Sequence, residues 1–297
     1  MTRLPLVFIV VLNWNGWRDT LACVESCLRL TWPNFRMVIV DNGSTDDSED
    51  YLRRKLNDVE VIQSGSNLGF AGGNNVGIRH ALNSSADYVW LLNNDAVADP
   101  GALTGLVEAM EREASVGIAG SKIYYYDEPR KIWFAGGMWE KGRLRLRHRG
   151  ADMIDEGQFD EMCEVGSVSG CSMLVRSSAI RDIGLMEEGY FLYWEDVEWC
   201  ARAREKGYKI LFAPGSRIWH KASSSAGKSS FSQYYYSTRN GFFFLQRHDP
   251  LLLPVFAAYN MLFGLKSAAC GNLQPLRGLA HGFGDFVRGK RGRNKLL

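Results

Sequence analysis

The first 110 residues of the chain alternate between short apolar runs and segments with helical spacing. Four apolar runs are typical of β-strands, at residues 6–12, 35–40, 59–63 and 88–92. Between and after them, apolar side chains recur with the period of a helix, at residues 20–30, 47–56, 76–82 and 103–110. Runs this apolar indicate strands covered on both faces, as in a parallel sheet. The alternation therefore predicts βαβ units and an α/β fold.

The regular alternation is lost after residue 110. Strands are expected at residues 117–126, 133–139 and 208–213, and helices at 177–183, 197–206 and 234–247. At 297 residues the chain is long enough for one large domain, or for one domain with an appendage. The second half is therefore expected to complete the α/β domain.

Polar, glycine-containing loops follow three of the predicted strands, at Asn13, Asp41 and Asn93. Ligands of open α/β sheets bind at the carboxyl ends of the strands, so these loops would line one edge. The glycine-rich segment 67–75 would close over that edge, because glycine permits positive φ and close backbone approach. It is neither a Walker loop nor a dinucleotide fingerprint. The convergence indicates a nucleotide site; the alternative is a tight turn that merely needs glycine.

Asp95 is a carboxylate that follows Asn93 and Asn94 at the end of the fourth strand. A carboxylate with oxygen-rich neighbours suits a hard divalent cation that carries the phosphates of a substrate. The alternative is a loop in which these side chains only satisfy backbone groups of the turn. His220 would complete a metal site if the fold brought it to Asp95; otherwise it is a histidine of the core.

Glu195 and Asp196 follow an aromatic-rich run, residues 190–194, and precede a predicted helix. An aromatic platform suits a sugar ring, and a carboxylate held beside it is a candidate general base. The alternative is a pair of capping carboxylates, which the helix dipole stabilises. A catalytic role therefore requires that these carboxylates share a cleft with Asp95.

Composition is ordinary for a globular protein, with 46 % hydrophobic and 23 % charged residues. The formal charge of +2 hides an asymmetry, because residues 251–297 carry +6 and residues 1–250 carry −4. The six cysteines include no CxxC pair, which disfavours structural zinc and predicts reduced thiols in a cytoplasmic protein. The N-terminal apolar run lacks a small-residue cleavage site, so it is interpreted as a strand and not as a signal peptide.

The run at residues 251–265 is apolar, contains Pro254 and Asn260, and is shorter than the roughly 20 residues of a membrane span. Two interpretations remain open. The run is either a buried C-terminal helix or an amphipathic segment that lies on a membrane, with the basic tail at anionic headgroups. Nucleic-acid binding is disfavoured, because no motif typical of nucleic-acid recognition accompanies the basic charges.

Seven segments taken together resemble family 2 of the glycosyltransferases. They are Asn13-Trp-Asn-Gly, Asp41-Asn-Gly-Ser-Thr-Asp46, Asn67-Leu-Gly-Phe-Ala-Gly-Gly-Asn-Asn75, Leu-Leu-Asn93-Asn-Asp95, Ser169-Gly-Cys, Phe191-Leu-Tyr-Trp-Glu-Asp196 and His220. The glycine-rich segment is most similar to the rhamnosyltransferase branch. The resemblance implies a GT-A fold, with a Rossmann-like, mostly parallel sheet flanked by helices, over residues 1–245. Residues 246–297 would form a helical, basic appendage.

The resemblance also implies roles for the motifs. Asp196 would be the catalytic base, Asp41 would hydrogen-bond the pyrimidine base, and Asp95 and His220 would bind Mg²⁺ or Mn²⁺. Further donor-binding residues would be Asn13, Asn15, Gly72, Gly73, Asn74, Asn93, Asn94, Lys228 and Arg239. Acceptor-binding residues would be Ser169, Gly170, Trp194 and Glu195. Asn93 departs from the commonest Asp-X-Asp triplet of the family and leaves one carboxylate for the cation.

The function that the resemblance implies is an inverting transfer of a sugar, rhamnose from dTDP-rhamnose, to a cell-surface polysaccharide or a polyprenyl-linked precursor. The location would be the cytoplasm, with peripheral contact to the inner face of the plasma membrane through the C-terminal segment. One alternative is a UDP-sugar donor. The other is a non-catalytic nucleotide-sugar-binding partner in a glycan assembly complex.

Overall fold

The computed structural model of the chain describes residues 3–140, 145–221 and 230–294. The strands are β1 (Val7–Asn13), β2 (Phe35–Asp41), β3 (Glu60–Gln63), β4 (Tyr88–Asn93), β5 (Ala96–Ala98), β6 (Val116–Tyr125), β7 (Ile132–Phe134), β8 (Gly137–Glu140), β9 (Arg145–His148), β10 (Cys163–Glu164), β11 (Ser172–Arg176) and β12 (Lys209–His220). The helices are α1 (Trp17–Cys27), α2 (Ser48–Lys55), α3 (Gly69–Asn83), α4 (Ala102–Glu111), α5 (Ser177–Ile183), α6 (Glu195–Glu205), α7 (Phe231–His248), α8 (Leu253–Ala269) and α9 (Leu273–Val287).

A ten-stranded sheet forms the centre of the described residues, in the order β10-β12-β6-β11-β4-β1-β2-β3, with β5 beside β12 and β7 beside β6. Strands β3, β2, β1 and β4 are parallel, and β12 is parallel to β6. Strand β11 runs antiparallel between β4 and β6. The central strands bury nearly every side chain, because helices cover both faces. The predicted α/β fold with a mostly parallel sheet is therefore confirmed.

The register of the central strands aligns their polar ends. Asn13 at the end of β1 pairs with Asp41 at the end of β2, and Leu12 pairs with Asn93 at the end of β4. The three polar loops that follow these strands consequently lie at one edge of the sheet. This arrangement is the one that the sequence predicted from the rule for parallel strands.

Helix α3 begins at Gly69, seven residues before its predicted start near residue 76. The prediction of a glycine-rich loop over residues 67–75 was therefore wrong for most of that segment. The reason is packing: a Cβ on Gly73 would lie 2.4 Å from Leu12 Cδ1, and a Cβ on Gly77 would lie 2.3 Å from Val10 Cγ1. Glycine lets α3 approach β1 closely, and this contact outweighs the low helix propensity of glycine.

Strand β12 is twelve residues long, whereas a short strand was predicted to end at residue 213. Its register with β6 shifts between Ala213 and Arg217, and beyond the shift it pairs with β5. That pairing sets His220 opposite Ala96, the residue after Asp95. A register shift interrupts the alternation of faces on which a strand prediction depends, so the second half of β12 was missed.

The predicted strand at residues 133–139 is two separate strands, β7 and β8. They pair with different partners, β7 with β6 and β8 with β9. Gly136 separates them with a φ of +101°, a conformation that favours glycine. The single apolar run therefore concealed a turn of the chain.

The C-terminal residues form a helical layer against the rest of the chain. Helix α7 runs without interruption across the predicted domain boundary at residues 245/246, and that boundary stays a prediction. Helix α9 packs against both α7 and α8. One helical stretch of the described residues, Pro250–Ala269, is long and apolar enough to cross a bilayer by length and composition, and 11 % of it is buried. The interpretation of α8 as a buried helix was wrong, because its neighbours cover only one side.

Candidate active site

A hydrogen-bond network centred on Asp41 joins the ends of β1 and β2. Asp41 is fully buried. Its Oδ2 accepts from Asn13 Nδ2 and from Ser44 Oγ, both at 2.7 Å. Its Oδ1 accepts from the Ser44 N–H at 2.9 Å and from Gln63 Nε2 at 3.0 Å. All four lone pairs of the carboxylate are engaged, so a pyrimidine N–H that bonds to Asp41 has to replace one of these donors.

A second set of polar side chains connects this network to the end of β4. Thr20 Oγ1 donates to Asn13 Oδ1 at 2.7 Å and accepts from Asn94 Nδ2 at 3.0 Å. Asn15 has a φ of 50°, and its Oδ1 accepts from the Thr45 N–H at 2.8 Å, which ties the loop after β1 to the loop after β2. The structure therefore brings these predicted donor-binding side chains together at one edge.

Asp95 and His220 meet beyond the end of β4. His220 Nε2 lies 3.0 Å from Asp95 Oδ1, and each residue is more than nine-tenths buried. Asn93 Nδ2 lies 3.4 Å from the same imidazole nitrogen. Trp133 meets the imidazole edge to face, with ring centroids 4.8 Å apart. The structure thus brings together the two residues that the resemblance assigned to the cation.

The electrostatics of this pair reflect their mutual contact. Burial by itself would raise the pKa of Asp95, but the contact with His220 lowers that pKa below its ordinary value. Burial by itself would lower the pKa of His220, but Cys171 and Asp95 together raise that pKa to about 10. Without a cation, the pair is therefore a buried carboxylate beside an imidazolium.

The Asp95–His220 pair has donor atoms that suit a divalent cation coordinated by the phosphates of a nucleotide. Asp95 Oδ1 is buried and lies 3.0 Å from His220 Nε2, so the two donor atoms are close enough to share one cation. A carboxylate oxygen and an imidazole nitrogen are donors that Mn²⁺ accepts, and the oxygen also suits Mg²⁺. Over the described ranges, no group of three or more His, Cys, Asp or Glu side chains is arranged to hold a metal ion. Water and phosphate oxygens would complete the coordination of such a cation.

A short segment before β11 joins this pair to Asp196. The carbonyl of Cys171 accepts the N–H of Asn93 at 2.9 Å. The N–H of Gly170 donates to Asp196 Oδ2 at 2.9 Å, and the N–H of Val197 donates to Asp196 Oδ1 at 2.8 Å. Burial raises the pKa of the partly exposed Asp196, although both N–H bonds favour its carboxylate form. A fixed carboxylate with a raised pKa suits proton abstraction.

Glu195 is held differently from its neighbour Asp196. It is 5 % exposed, and its Oε2 has no hydrogen-bond partner among the residues that the structure describes. Burial and the negative charge of Asp196 raise the pKa of Glu195 well above its ordinary value. The side chain therefore lies inside the protein, and its predicted contact with an acceptor stays a prediction.

The aromatic run before these carboxylates packs inward. Trp194 contacts Phe244 and Phe256, with ring centroids 5.0 and 6.5 Å apart. Phe191 stacks on Tyr236 at 5.3 Å. These rings join the loop to α7 and α8, and the expected aromatic platform for a sugar ring stays a prediction. An acceptor contact of Trp194 stays a prediction.

Two basic side chains, Lys228 and Arg239, were predicted to contact the diphosphate. Arg239 is 1 % exposed, and each of its five N–H groups has an acceptor inside the protein, including the carbonyls of Gly189, Tyr190 and Gly292. The role of Arg239 at the diphosphate was therefore wrong, because no donor is left for a ligand. Lys228 lies outside the described residues.

Gly72, Gly73 and Asn74 are buried in the first turns of α3. The open side of Gly73 faces Leu12, and Asn74 Nδ2 donates to the Phe70 carbonyl at 2.9 Å. Packing and helical hydrogen bonding account for these residues, so their contact with a nucleotide stays a prediction. Ser169 and Gly170 lie beside Asp196, and their acceptor role likewise stays a prediction.

Four residues of this region were not selected from the sequence: Thr20, Trp133, Cys171 and Lys221. Cys171 is the last residue of the Ser169-Gly-Cys segment. Lys221 directly follows His220, and its N–H donates to the Asp95 carbonyl at 3.0 Å. Thr20 lies one helical turn from the polar loop after β1. Trp133 gave no signal, because its contact with His220 depends on the pairing of β7 with β6.

Two comparisons of sequence agree with this geometry. The profile described as "Glycosyl transferase family 2" matches residues 8–184, more than half of the chain. The N-acetylglucosaminyl-diphospho-decaprenol L-rhamnosyltransferase of Mycobacterium tuberculosis is 26 % identical over 236 residues, 72 % of this chain and 75 % of that protein. The dTDP-rhamnosyl transferase RfbF of Shigella flexneri is 27 % identical over 258 residues, 84 % of this chain and 83 % of that protein.

Solved structures share the architecture at low sequence identity. GalNAc-T7 with UDP, GalNAc and Mn²⁺ has a TM-score of 0.65 and 15 % identity, covering 83 % of this chain and 48 % of that one. The mannosyltransferase PcManGT from Pyrobaculum calidifontis, in complex with GDP-Man and Mn²⁺, has a TM-score of 0.59 and 16 % identity, covering 96 % and 81 %. The fold is therefore GT-A with additional C-terminal helices. From the match over residues 8–184, the chain belongs to glycosyl transferase family 2.

Proposed function

We propose that this glycosyltransferase inverts the anomeric centre as it moves rhamnose from dTDP-rhamnose to a polyprenyl-linked glycan or a surface polysaccharide. One observation carries the proposal: the Asp41 network, the Asp95–His220 pair and Asp196 follow one another along one edge of the sheet. In this order, the three sites would serve the pyrimidine base, the diphosphate with its cation, and the hydroxyl of the acceptor. Both relatives are named as rhamnosyltransferases, which supports the sugar, and the name of the mycobacterial relative supports the polyprenyl acceptor.

Asp196 is the base in this proposal. Each of its oxygens accepts one backbone N–H, which fixes the carboxylate and leaves lone pairs for a further proton donor. The carboxylate takes the proton of the acceptor hydroxyl while that oxygen attacks the anomeric carbon and the bond to the nucleoside diphosphate breaks. Asp95 and His220 would hold a divalent cation, which supplies charge neutralisation at the departing diphosphate.

The first prediction concerns Asp196. Asp196→Asn is expected to lower kcat by about 10²–10⁴, the usual contribution of a general base, because an amide cannot take the proton. Nucleoside diphosphate affinity, measured by calorimetry, should be nearly unchanged. Asp58→Asn is the matched control, since Asp58 is exposed. Transfer by Asp196→Asn near the wild-type rate would exclude the role. Donor binding without transfer or hydrolysis by the wild type would favour the non-catalytic alternative.

The second prediction concerns the donor and the cation. We expect dTDP-rhamnose with Mn²⁺ or Mg²⁺ to raise Tm more than UDP-sugars do, since ligand at 100 times Kd stabilises by about 2.7 kcal/mol. Asp95→Ala should remove the difference between samples with and without cation, because one of the two protein ligands is lost. A larger shift with a UDP-sugar would favour the alternative donor. Equal shifts without cation would contradict metal dependence.

We also propose that the C-terminal helices contact the inner face of the plasma membrane. Exposed apolar side chains cover the outer side of α8 and continue onto α9: Leu251, Val255, Tyr259, Met261, Leu262, Phe263, Leu265, Leu273, Phe283 and Val287. Exposed basic side chains accompany them: Lys266, Arg277, Arg288, Lys290, Arg291 and Arg293. Apolar surface beside basic charge is the combination that binds anionic bilayers.

The packing of α8 favours a helix that lies along the bilayer surface over one that crosses it. Phe256 is buried against the rings of α7, and a Cβ on Gly264 would lie 3.0 Å from Leu276 and Leu279 of α9. A spanning helix would have to leave both contacts. The inner side of α8 thus holds it to the domain while its outer side is available to lipid.

A further inference from the structure

The loop that leads to Asp196 has an unusual backbone. Phe191, Tyr193 and Trp194 have φ values of 65°, 68° and 76°, although none of them is glycine. L-residues rarely adopt this region, and they persist there only when surrounding contacts hold them. Trp194 immediately precedes α6, and Asp196 is the second residue of that helix. The direction of the Asp196 side chain therefore depends on what holds this loop.

Two consecutive buried residues of α7 hold the loop by its carbonyl groups. Asn240 Nδ2 lies 2.8 Å from the carbonyl oxygens of Tyr190 and Leu192 and 2.9 Å from that of Tyr193. Arg239 Nη2 donates to the Tyr190 carbonyl at 3.0 Å, and Arg239 Nε donates to Asn240 Oδ1 at 3.0 Å. The guanidinium thus orients the amide, and the amide nitrogen lies within hydrogen-bond distance of the carbonyls on both sides of Phe191 and of the carbonyl of Tyr193.

The C-terminal segment is the third part of this assembly. Arg239 Nη1 donates to the Gly292 carbonyl at 2.7 Å, and the Gly292 N–H donates to the Gly189 carbonyl at 2.7 Å. The Asn294 N–H donates to Tyr236 Oη at 3.0 Å. Residues beyond α9 therefore close over the same loop that α7 holds from inside.

We propose that Arg239 and Asn240 are positioning residues for Asp196, and that the segment around Gly292 completes their hold on the loop. Without the amide, the carbonyls of Leu192 and Tyr193 lose their bonds to α7, while the Trp194 carbonyl keeps its bond from the Glu198 N–H at the start of α6. The loop then relaxes towards ordinary backbone angles, and the start of α6 turns away from the cleft. The inference rests on the proposed function only in assigning the role of base to Asp196.

Activity provides the first test. Asn240→Ala and Arg239→Lys should lower kcat about tenfold or more, because misplacing a reacting group by about 1 Å costs up to about 10². The KM for the donor should stay nearly constant, since the donor residues of β1, β2 and β4 are untouched. The matched control is Arg176→Lys, because Arg176 also donates to backbone carbonyls, those of Met110 and Val116, away from the loop.

Hydrogen–deuterium exchange provides a second test that needs no activity. Amides of residues 189–197 should exchange faster in Asn240→Ala and in a chain truncated after Arg288, and should be unchanged in Arg176→Lys. If Asn240→Ala fails to fold, kcat and hydrogen–deuterium exchange can both be measured on Arg239→Lys and on the truncated chain. Unchanged exchange in this loop, or an equal loss of kcat in the Arg176→Lys control, would overturn the proposal. If the wild type transferred no sugar, the proposed function would be wrong. Hydrogen–deuterium exchange would still show whether Arg239 and Asn240 hold the loop before Asp196.

Discussion

Glu195 and Asp196 are adjacent carboxylates in different environments. Asp196 is partly exposed and accepts two backbone N–H bonds, whereas Glu195 is buried with an unpartnered Oε2 among the described residues. Burial raises the pKa of both, and the charge of Asp196 raises the pKa of Glu195 further. Because the two groups interact, their protons leave in steps that belong to the pair. The arrangement favours a proton on Glu195 and a carboxylate at Asp196.

This difference predicts a pH-dependent effect of Glu195→Gln on stability. A carboxyl whose pKa is raised on folding stabilises fully at pH values below its unfolded pKa, near 4.3, and loses that contribution as the pH rises through its folded pKa. Glu195→Gln removes the ionisable group, so it should change Tm little at pH 4. At pH 8 it should raise Tm by about 2–4 °C for each kcal/mol by which the buried charge destabilises the wild type. Thermal unfolding across this range measures the effect.

The exposed Glu25 provides the control for that experiment. Glu25→Gln should change Tm little at either pH, because a surface carboxylate loses no hydration on folding. A Tm difference for Glu195→Gln that does not grow between pH 4 and pH 8 would contradict a buried, unpartnered Glu195.

Asp41 illustrates how far a single residue can be interpreted from sequence. Its place at the end of an apolar strand predicted a polar group at the edge of the sheet, and the register with Asn13 confirms that location. The sequence did not predict that Ser44 and Gln63 would occupy its remaining lone pairs. Side-chain partners depend on the loop conformation after the strand, which periodicity does not describe.

At the scale of elements, α3 shows glycine used for packing inside a helix. The helix lies against β1, and its glycines face Leu12 and Val10. The sequence interpretation placed Gly73 in a loop and Gly77 in the helix, because a cluster of glycines is typical of a turn. Tertiary contact overrode local preference here.

Gly77→Ala tests this packing. Alanine improves helix propensity by about 1 kcal/mol, but its Cβ would lie 2.3 Å from Val10 Cγ1. Overpacking of a core costs about 1–3 kcal/mol, so we expect net destabilisation, measured by chemical denaturation. Gly284→Ala in α9 is the matched control, because its Cβ would meet only the end of the Arg288 side chain. Equal effects of the two substitutions would contradict the packing role.

At the scale of elements, strand β12 decides where His220 lies. Its register with β6 shifts between Ala213 and Arg217, and beyond the shift it also pairs with β5, which brings His220 to Asp95. The predicted strand ended before this change, so the sequence left His220 without a definite place. A pairing between residues more than a hundred positions apart is not a local property of either segment.

The whole molecule combines a row of polar side chains at one edge of a sheet with a layer of C-terminal helices. The two are connected, because Arg239 and Gly292 bond to the loop that precedes Asp196. The outer side of α8 is apolar and exposed, and the C-terminal residues are basic. If the acceptor is membrane-bound, as proposed, it would be approached by the same layer of helices that supports Asp196.

Membrane contact is tested with vesicles. The chain should co-sediment with anionic vesicles, less with neutral ones, and less as salt rises, because the basic residues contribute through screened charge. Leu262→Gln should weaken binding about tenfold, since burying a leucine is worth roughly 1.5–3 kcal/mol. Leu28→Gln is the matched control: Leu28 and Leu262 are 63 % and 64 % exposed, and Leu28 follows α1. Equal weakening by both variants, or indifference to lipid charge, would count against this surface.

The sequence alone determined the α/β class, the parallel strands and the polar loops at their carboxyl ends. These features follow from the period of apolar residues and from the common direction of parallel strands, both of which are local. Only the tertiary structure decided that Arg239 lies inside, that α3 starts at Gly69 and that α8 is exposed. It also decided the meeting of Asp95 with His220. Each of these features depends on which distant segments pack together, and the spacing of residues along the chain does not determine that packing.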